Sequence, residues 1–312
     1  MRSSLRALLL AVVASVTTSL SAGPKVGVLL KGRTPFWDAV QKGATEAGGA
    51  AGAEVVVKAP PSESDISIQI QLLNGLAGQG AQAIVIAPIN KEALAVPIAS
   101  IAVKGVKIVV IDTPLTGKAA PVFIGTDHTA AGQAAGKLLA SLVSDSDEIT
   151  FFKHSQASGA TAERETGAMT TFRAVHAANV IHGDVYSSTE AGAEIEKANV
   201  VLAKHPGTKA ILASSTPGTM AMLKVLQEKK LAGQIKLVGF GFNLNPEVAS
   251  AIESGAMSGW IAQLPKDVGM KGVTAALALL KGESVPPVVH TDFIVITKEN
   301  LADSQVQALL SL

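Results

Sequence analysis

Histidines are the side chains in this sequence best suited to act as bases or metal ligands. The six histidines occur singly, without His-Glu-x-x-His or any other metal-ligand spacing, and His128 and His154 are better explained as polar turn residues than as bases. A Gly-x-Ser-x-Gly nucleophile elbow and a Walker-type phosphate loop are absent. Gly239-Phe240-Gly241 lacks the third glycine of a dinucleotide fingerprint and predicts a tight strand-end turn. We therefore expect a binding protein that is not an enzyme and uses no cofactor and no metal.

The side-chain amide of Gln263 lies in an otherwise apolar run of the sequence. The segment from Gly259 to Val273 begins as a short apolar strand, carries Gln263 at the end of that run, and resumes after Pro265 with helical apolar spacing. A buried amide without partners costs roughly 1–3 kcal/mol. Gln263 therefore needs a partner, which either the fold or a ligand must supply.

The elements that position these residues alternate between strand and helix. Val26 to Leu30 is a continuous apolar run typical of a strand buried on both faces, and Ile66 to Leu76 has the three-and-four spacing of an amphipathic helix. Such alternation predicts βαβ units in a parallel sheet. It restarts at Ile149, and one sheet holding all the strands would be unusually wide. We predict an α/β fold with two similar lobes and more than one crossing between them.

Ligands of open parallel sheets bind beyond the carboxyl ends of the strands. The residues predicted at these ends are polar, include few aromatics and show no catalytic pairing, which favours a binding cleft. They are Lys31 to Trp37, Pro88 to Asn90, Asp112-Thr113, His154 to Arg164, Ser214 to Thr216, Gly241 to Asn243, and Gln263.

Residues 1–21 have the layout of a secretory signal peptide, with Arg2 and Arg6 before an apolar run from Ala7 to Val16 and small residues after it. Cleavage there would change the formal net charge from +1 to −1, and a near-neutral surface argues against a nucleic-acid partner. The chain has no cysteine, which excludes a lipid-modified cysteine, disulfides and thiolate metal sites. We expect a free, monomeric protein in the periplasm.

Several segments together resemble one known family, the ribose-type periplasmic sugar-binding proteins that serve ABC importers as solute receptors. The resemblance runs from Lys25 to the last strand and depends on an ordered set of motifs. The motifs are Thr34-Pro35-Phe36-Trp37, Ile111-Asp112-Thr113, Ala162-Glu163-Arg164-Glu165, Val238-Gly239-Phe240 and Ile261-Ala262-Gln263-Leu264-Pro265.

The resemblance implies two Rossmann-like lobes with parallel sheets, joined by a three-crossover hinge and closing on a sugar. By that comparison the chain crosses near Thr126-Asp127, Gln263-Leu264 and Val289-His290. The N-terminal lobe would hold residues 25–126 and 264–289, and the C-terminal lobe residues 127–263 and 290–312. A ligand that contacts both lobes would stabilise the closed state, which the permease would recognise.

The resemblance also implies ligand-binding roles for particular side chains. Asp112 matches a carboxylate that accepts hydrogen bonds from adjacent sugar hydroxyls, Arg164 a sugar-binding arginine, and Gln263 an amide beside the hinge. Each has a structural alternative: a turn-forming aspartate, an ion pair with the neighbouring glutamates, and a satisfied core amide. Phe36 and Trp37 match the aromatic pair that covers a sugar's apolar face, although one of the two is expected in the core. The full predicted set is Lys31, Arg33, Phe36, Trp37, Asp112, Arg164, Ser215, Gly241 and Gln263.

Departures from the ribose pattern argue against ribose itself as the ligand. Arg33 and Thr34 replace an asparagine, Thr113 a second arginine, Ser215 an asparagine, and Gly241 an aspartate. The sequence also resembles receptors for the furanosyl signal autoinducer-2 in two features, the pair Lys31 and Asp112 and the run Val238 to Asn243. A different sugar, a polyol or such a signal all remain open. So does the partner, which is either an importer permease or, in a sensory protein, a chemoreceptor or histidine kinase.

Overall fold

The protein is described by a computed structural model that covers residues 23–116, 122–155, 158–188 and 192–311. The predicted signal peptide at residues 1–21 lies outside these ranges. Within them, apolar β-branched runs form two separate six-stranded sheets, each covered by helices. The predicted α/β fold with two lobes is thereby confirmed. No helix in the described ranges is both long and apolar enough to cross a membrane.

The first sheet is parallel throughout, which explains why its central strands are continuous apolar runs. Its strands, in order across the sheet, are Val288–Thr291 (β11), Phe123–Thr126 (β5), Lys107–Ile111 (β4), Ala83–Ile86 (β3), Lys25–Leu29 (β1) and Glu54–Lys58 (β2).

The second sheet is parallel except for one antiparallel edge strand, β12. In order across the sheet its strands are Phe293–Ile296 (β12), Gly259–Gln263 (β10), Lys236–Phe242 (β9), Thr208–Ala213 (β8), Glu148–Phe152 (β6) and Ile181–His182 (β7).

Helices pack on both faces of each sheet. Those of the first lobe are Pro35–Ala50 (α1), Ile66–Gly78 (α2), Ala95–Ala102 (α3) and Pro265–Leu280 (α9). Those of the second are His128–Ala140 (α4), Gly159–Val175 (α5), Ala193–Lys204 (α6), Thr216–Glu228 (α7), Pro246–Glu253 (α8) and Ser304–Gln307 (α10), which continues into a 3₁₀ turn at Ala308–Ser311.

Close packing of α4 on α5 sets the position of Arg164. Asp127 caps α4 by accepting a hydrogen bond from the Ala130 N–H at 2.8 Å. Gly132, one turn further on, lies so near α5 that a Cβ there would stand 2.2 Å from the Arg164 carbonyl oxygen. Only a residue without a side chain allows this approach.

The chain passes between the lobes at three places, each at the end of a strand. The first crossing joins β5 to α4, the second joins β10 to α9, and the third joins β11 to β12. Along β11, His290 is paired with Gly125 and Thr291 with Thr126 in the first sheet. The third crossing therefore follows Thr291, two residues beyond the position expected from the family resemblance.

Other differences from the sequence-based expectations concern weak strand signals. Gly239-Phe240-Gly241, predicted as a turn, lies inside β9, whose pairing with β10 continues to Phe242. The run from Val180 to Tyr186, which the sequence predicts as one strand, forms only the two-residue β7 and one isolated bridge from Tyr186 to Lys153. Strand β11 was not expected, because Pro286-Pro287 precedes it and its own sequence is short.

Candidate functional site

A cavity of about 680 Å³ lies between the lobes at the carboxyl ends of the strands. It falls within the size range of small-molecule sites, about 300–1,000 Å³. The first lobe contributes Lys31, Thr34, Pro35, Phe36, Trp37, Glu63 and Asp112. The second contributes His154, Ser158, Ala160, Thr161, Arg164, Ser215, Thr216, Pro217, Phe242, Asn243, Leu244, Asn245, Pro246, Trp260, Gln263, Leu309 and Leu310.

A buried ion pair forms the polar end of the cavity in the first lobe. Lys31, at the end of β1, donates from Nζ to Asp112 Oδ2 at 2.6 Å and to Thr113 Oγ1 at 2.5 Å. The Thr113 hydroxyl in turn donates to Asp112 Oδ2 at 2.9 Å. Burial alone would raise the pKa of Asp112, but the Lys31 ammonium and the Arg164 guanidinium lower it to about 2. Asp112 is therefore a carboxylate at any physiological pH.

The backbone of Asp112 is also unusual, with a φ of 62° in the left-handed region. Aspartate tolerates that conformation better than most residues, and such geometry is common at ligand sites. The described hydrogen bonds of its carboxylate all end at Oδ2. None of them ends at Oδ1, so this oxygen remains able to accept a hydrogen bond.

His128, the first residue of α4, links the two lobes beneath the cavity. Its ring is 1 % exposed, and its Nε2 lies 2.7 Å from the carbonyl oxygen of Asp112. Arg164 donates to His128 Nδ1 from Nε at 3.3 Å and from Nη2 at 3.2 Å. Because Nδ1 accepts, the proton is on Nε2 and is donated to the Asp112 carbonyl. Burial, followed by the Arg164 charge, lowers the pKa of His128 to about 3, so the ring is neutral.

Arg164 points into the site and away from the helix surface. Its Nη1 donates to the Ser214 carbonyl oxygen at 3.1 Å, and its Nη2 donates to Gln263 Oε1 at 2.5 Å. The guanidinium carbon lies 5.1 Å from the centroid of the Phe240 ring. No ion pair formed by the described residues includes Arg164, and burial lowers its pKa to about 10. The alternative of a surface ion pair with Glu163 and Glu165 does not describe this geometry.

Gln263 finds partners on two sides, as a buried amide must. Its Oε1 accepts from Arg164, and its Nε2 donates to the Gly241 carbonyl oxygen at 3.2 Å. It is 5 % exposed and lines the cavity at the end of β10, directly before the second crossing. The fold thus satisfies most of this amide, while one side of it still faces the cavity.

The two aromatic residues of α1 take different positions. Trp37 belongs to the first-lobe core, is 3 % exposed, and donates from Nε1 to Glu63 Oε1 at 2.7 Å. Phe36 is half-buried and reaches across the cleft, with its ring centroid 5.4 Å from that of Phe242 in the second lobe. Both line the cavity, and Trp37 is the core member that the sequence leads us to expect.

Three of the predicted ligand-binding residues have no side chain that is free to reach into the cavity. Ser215 lines the cavity, but its hydroxyl oxygen caps α7 by accepting from the Gly218 N–H at 3.3 Å. Gly241 is not among the lining residues, since a Cβ there would be 1.9 Å from Cζ2 of Trp260, whose indole occupies that space. Arg33 is exposed and does not line the cavity.

Sequence reasoning missed Glu63, Trp260 and the C-terminal leucines, and gave His128 only a turn role. Trp260 lies inside an apolar strand, and Leu309 is far from every strand end, so neither carries a local signal. Glu63 sits in a polar loop after Pro60-Pro61. In the described part of the chain, no group of three or more His, Asp or Glu side chains is arranged to hold a metal ion.

Comparisons with known proteins agree with the geometry. The family model described as "Periplasmic binding protein domain" matches residues 26–284. The D-allose-binding periplasmic protein of Escherichia coli K12 is 25% identical over 87% of this chain and 89% of its own length. The ribose import binding protein RbsB of the same strain is 26% identical over 95% of this chain and 98% of its own.

A similar solved structure is the carbohydrate transporter solute-binding protein of Agrobacterium radiobacter in complex with D-arabinose. It has a TM-score of 0.87 and 26% identity, covering 93% of this chain and 99% of that one. An ABC transporter solute-binding protein of Agrobacterium vitis with bound D-fucose has a TM-score of 0.84 and 26% identity, covering 91% of this chain and 98% of that one. The resemblance inferred from the sequence motifs is confirmed, and the chain belongs to the periplasmic binding protein domain family.

Proposed function

We propose that this protein is a periplasmic solute receptor that binds a sugar-like ligand between its two lobes and delivers it to the membrane permease of an ABC importer. The observation that carries the proposal is one cavity with hydrogen-bonding groups from both lobes, Asp112 on one side and Arg164 with Gln263 on the other. A ligand that contacts both lobes stabilises their closed arrangement, and closure is the state a permease can distinguish.

The chemistry of the site supports a polyhydroxylated ligand. A carboxylate, a guanidinium and an amide offer acceptors and donors at several points, while the half-buried ring of Phe36 offers an apolar face for C–H surfaces. The relatives and structural neighbours carry sugar names or bound sugars, which supports the same class of ligand. Binding without turnover fits the neutral, internally bonded His128.

We propose that residues 1–21 direct export and are removed, since they run from basic to apolar to small residues. The mature chain would then act in the periplasm as a monomer, because one chain supplies both walls of the cavity. Its near-neutral formal charge supports a function without nucleic acid.

A thermal-shift and calorimetry screen tests the proposal. The probes are D-ribose, D-allose, D-arabinose, D-fucose, xylitol and autoinducer-2. A true ligand at about 100 times its dissociation constant should stabilise the protein by about 2.7 kcal/mol. Lack of binding by every probe would contradict the sugar-receptor proposal, and steady release of product from any of them would contradict binding without catalysis.

Asp112→Asn links the binding to the proposed site. It removes the charged acceptor, so affinity for the ligand found in the screen should fall at least about tenfold. The variant also leaves the buried Lys31 ammonium without its carboxylate, so circular dichroism must first confirm that it is folded at the assay temperature. Glu228→Gln, an exposed charge removal outside the cavity, is the matched control and should bind as the wild type does.

A further inference from the structure

We propose that Glu63 is a specificity-determining residue that binds the ligand directly, through a carboxylate oxygen that accepts a hydrogen bond from one ligand hydroxyl. The inference rests on the proposed function, because it assigns a further contact in the same cavity. Glu63 lies in the loop between β2 and α2, away from the strand ends that carry Asp112 and Gln263. The first lobe would thus recognise the ligand at two separate places.

Glu63 is held at the wall of the cavity by two contacts. Its Oε1 accepts from Trp37 Nε1 at 2.7 Å, and both residues line the cavity. A Cβ on Gly32 would lie 3.3 Å from Cγ of Glu63, so the glutamate side chain packs against that glycine. The carboxylate is therefore in position before a ligand arrives, as a specific contact requires.

The loop that carries Glu63 is a closed turn. The Ser62 N–H donates to Asp65 Oδ2 at 3.1 Å, and the Asp65 N–H donates back to the Ser62 carbonyl oxygen at 3.1 Å. The Ser62 and Ser64 hydroxyls lie 2.8 Å apart. Of the two acidic residues in this turn, Asp65 is used within it, whereas Glu63 lines the cavity. The turn thus presents one carboxylate to the site.

The second carboxylate oxygen of Glu63 is available to a ligand. Among the described residues, Oε2 forms no hydrogen bond, and it is not one of the buried side-chain oxygens that lack a partner. The oxygen is therefore accessible, and the residue as a whole is only half-buried. None of the ion pairs formed by the described residues includes Glu63, and the Lys31 ammonium of the same wall is bonded to Asp112. The charge of Glu63 is left for another donor.

Closure of the lobes over a ligand would remove water from this oxygen. Glu63 lines both the main cavity and a smaller chamber beside it, and His154 and Ser158 of the second lobe line the same two spaces. A carboxylate enclosed between the lobes without a donor would lose its hydration without compensation. A ligand hydroxyl supplies that donor. Because hydrogen bonds to a charged acceptor are the stronger kind, the contact discriminates against a ligand that lacks this hydroxyl.

Calorimetry with Glu63→Gln tests the inference. The probes are D-ribose, D-allose, D-arabinose, D-fucose, xylitol and autoinducer-2. The glutamine keeps an oxygen for the Trp37 Nε1–H but replaces Oε2 with an NH₂ group, so affinity for the tightest-binding probe should fall at least about tenfold.

Asp65→Asn is the matched control. It removes the same charge from the same turn, keeps an oxygen for the Ser62 N–H and should bind the probe as the wild type does. Both variants should fold, because neither side chain belongs to the hydrophobic core, and circular dichroism checks this.

Monodeoxy analogues of the tightest-binding probe show whether the contact is direct. The analogue that lacks the contacted hydroxyl should bind the wild type and Glu63→Gln within about twofold of each other, while the other analogues keep the difference of about tenfold. A glutamate that acts only by holding Trp37 would give the same ratio for every analogue.

Three outcomes would overturn the inference while the sugar-receptor proposal stands. They are wild-type affinity in Glu63→Gln, an equal loss in Asp65→Asn, and a ratio that no deoxy analogue changes. If no probe binds the wild type, both the inference and the sugar-receptor proposal are overturned.

Discussion

At the scale of single residues, His128 is the least expected part of the site. Its two ring nitrogens bond to Asp112 of the first lobe and Arg164 of the second, so a single neutral imidazole connects the acceptor and the donor of the proposed ligand site. A protonated ring would lose its acceptor and face Arg164 as a second cation. The arrangement therefore depends on the ring staying neutral.

The lowered pKa of His128 predicts a specific loss of stability in acid. The folded-state pKa of about 3 is below the ordinary value of 6.5, so the unfolded chain binds this proton first and unfolding becomes easier as pH falls below 6.5. The free energy of unfolding should fall by about 1.4 kcal/mol per pH unit through this group alone. His128→Gln, which keeps a donor and an acceptor, should show a shallower decline between pH 6.5 and 4 in urea titrations.

Three other groups affect that measurement. His154 has the same sign as His128, because burial lowers its pKa to about 4, so it adds its own decline between pH 6.5 and 4 in both the wild type and the variant. Asp112 affects stability at a lower pH than His128 does. Its pKa in the folded protein is about 2 and its ordinary value is 3.8, so this group reduces stability only as pH falls from 3.8 towards about 2.

His176 has the opposite sign, since its hydrogen bonds to the Ala140 carbonyl and then to Asp145 raise its pKa and stabilise the folded state as pH falls through it. That gain occurs above the ordinary pKa of 6.5 and is complete below it, so His176→Gln should leave the slope between pH 6.5 and 4 unchanged. Equal slopes in wild type and His128→Gln would contradict the role given to His128.

Single residues also show how far the sequence could lead. The positions of Asp112, Arg164 and Gln263 at the cavity were predictable, because each lies in a segment that follows a strand. Their partners were not, because the bonds of His128 and the packing of Trp260 join positions far apart in the chain. Only three-dimensional packing brings these pairs together.

At the scale of elements, the contact between α4 and α5 holds Arg164 in place. Gly132→Ala would put a methyl group 2.2 Å from the Arg164 carbonyl oxygen, so the helices must separate. We expect a loss of about 1–3 kcal/mol in unfolding free energy, as in other overpacked interfaces. Ligand affinity should fall as well, because the guanidinium moves with its helix. Chemical denaturation and calorimetry measure the two effects.

Gly49→Ala is the matched control for that substitution. A Cβ at Gly49 meets nothing within 4 Å, and the residue lies in α1 on the exposed side. Replacing a helical glycine by alanine there should raise stability by up to about 1 kcal/mol and leave binding unchanged. A similar stability and affinity for Gly132→Ala would mean that the α4–α5 contact does not position Arg164.

Element prediction succeeded where hydrophobic periodicity was strong and failed where it was weak. The buried strands β1, β3 and β4 and the helices between them follow directly from apolar runs and spacing. The end of β9 was not predicted as strand because it contains two glycines, which strand interiors seldom favour. In the structure the Trp260 indole fills the space beside Gly241. Strand β11 depends on its pairing with β5, which no local pattern encodes.

At the scale of the whole molecule, the three crossings predict a motion of one lobe relative to the other. The chain has no cysteine, so dyes can be placed at Lys58→Cys in the first lobe and Glu247→Cys in the second without other changes. The tightest ligand from the sugar screen should increase energy transfer between the dyes, because closure brings the lobes together. A pair within the first lobe, Lys58→Cys with Glu283→Cys, should not respond. Equal responses of both pairs would contradict hinge closure.

The order of the crossings also has a consequence for how the protein is made. Helix α9 packs on α1, β3 and β4, and strand β11 completes the first sheet. Both come from residues 265–291, which follow the whole second lobe except β12, α10 and the C-terminal 3₁₀ turn. Synthesis of the first lobe thus begins before that of the second lobe, yet its last helix and strand are made only after most of the second lobe. A nascent chain would therefore lack a complete first-lobe core until nearly its full length has been translated, which would suit the proposed export in an unfolded form.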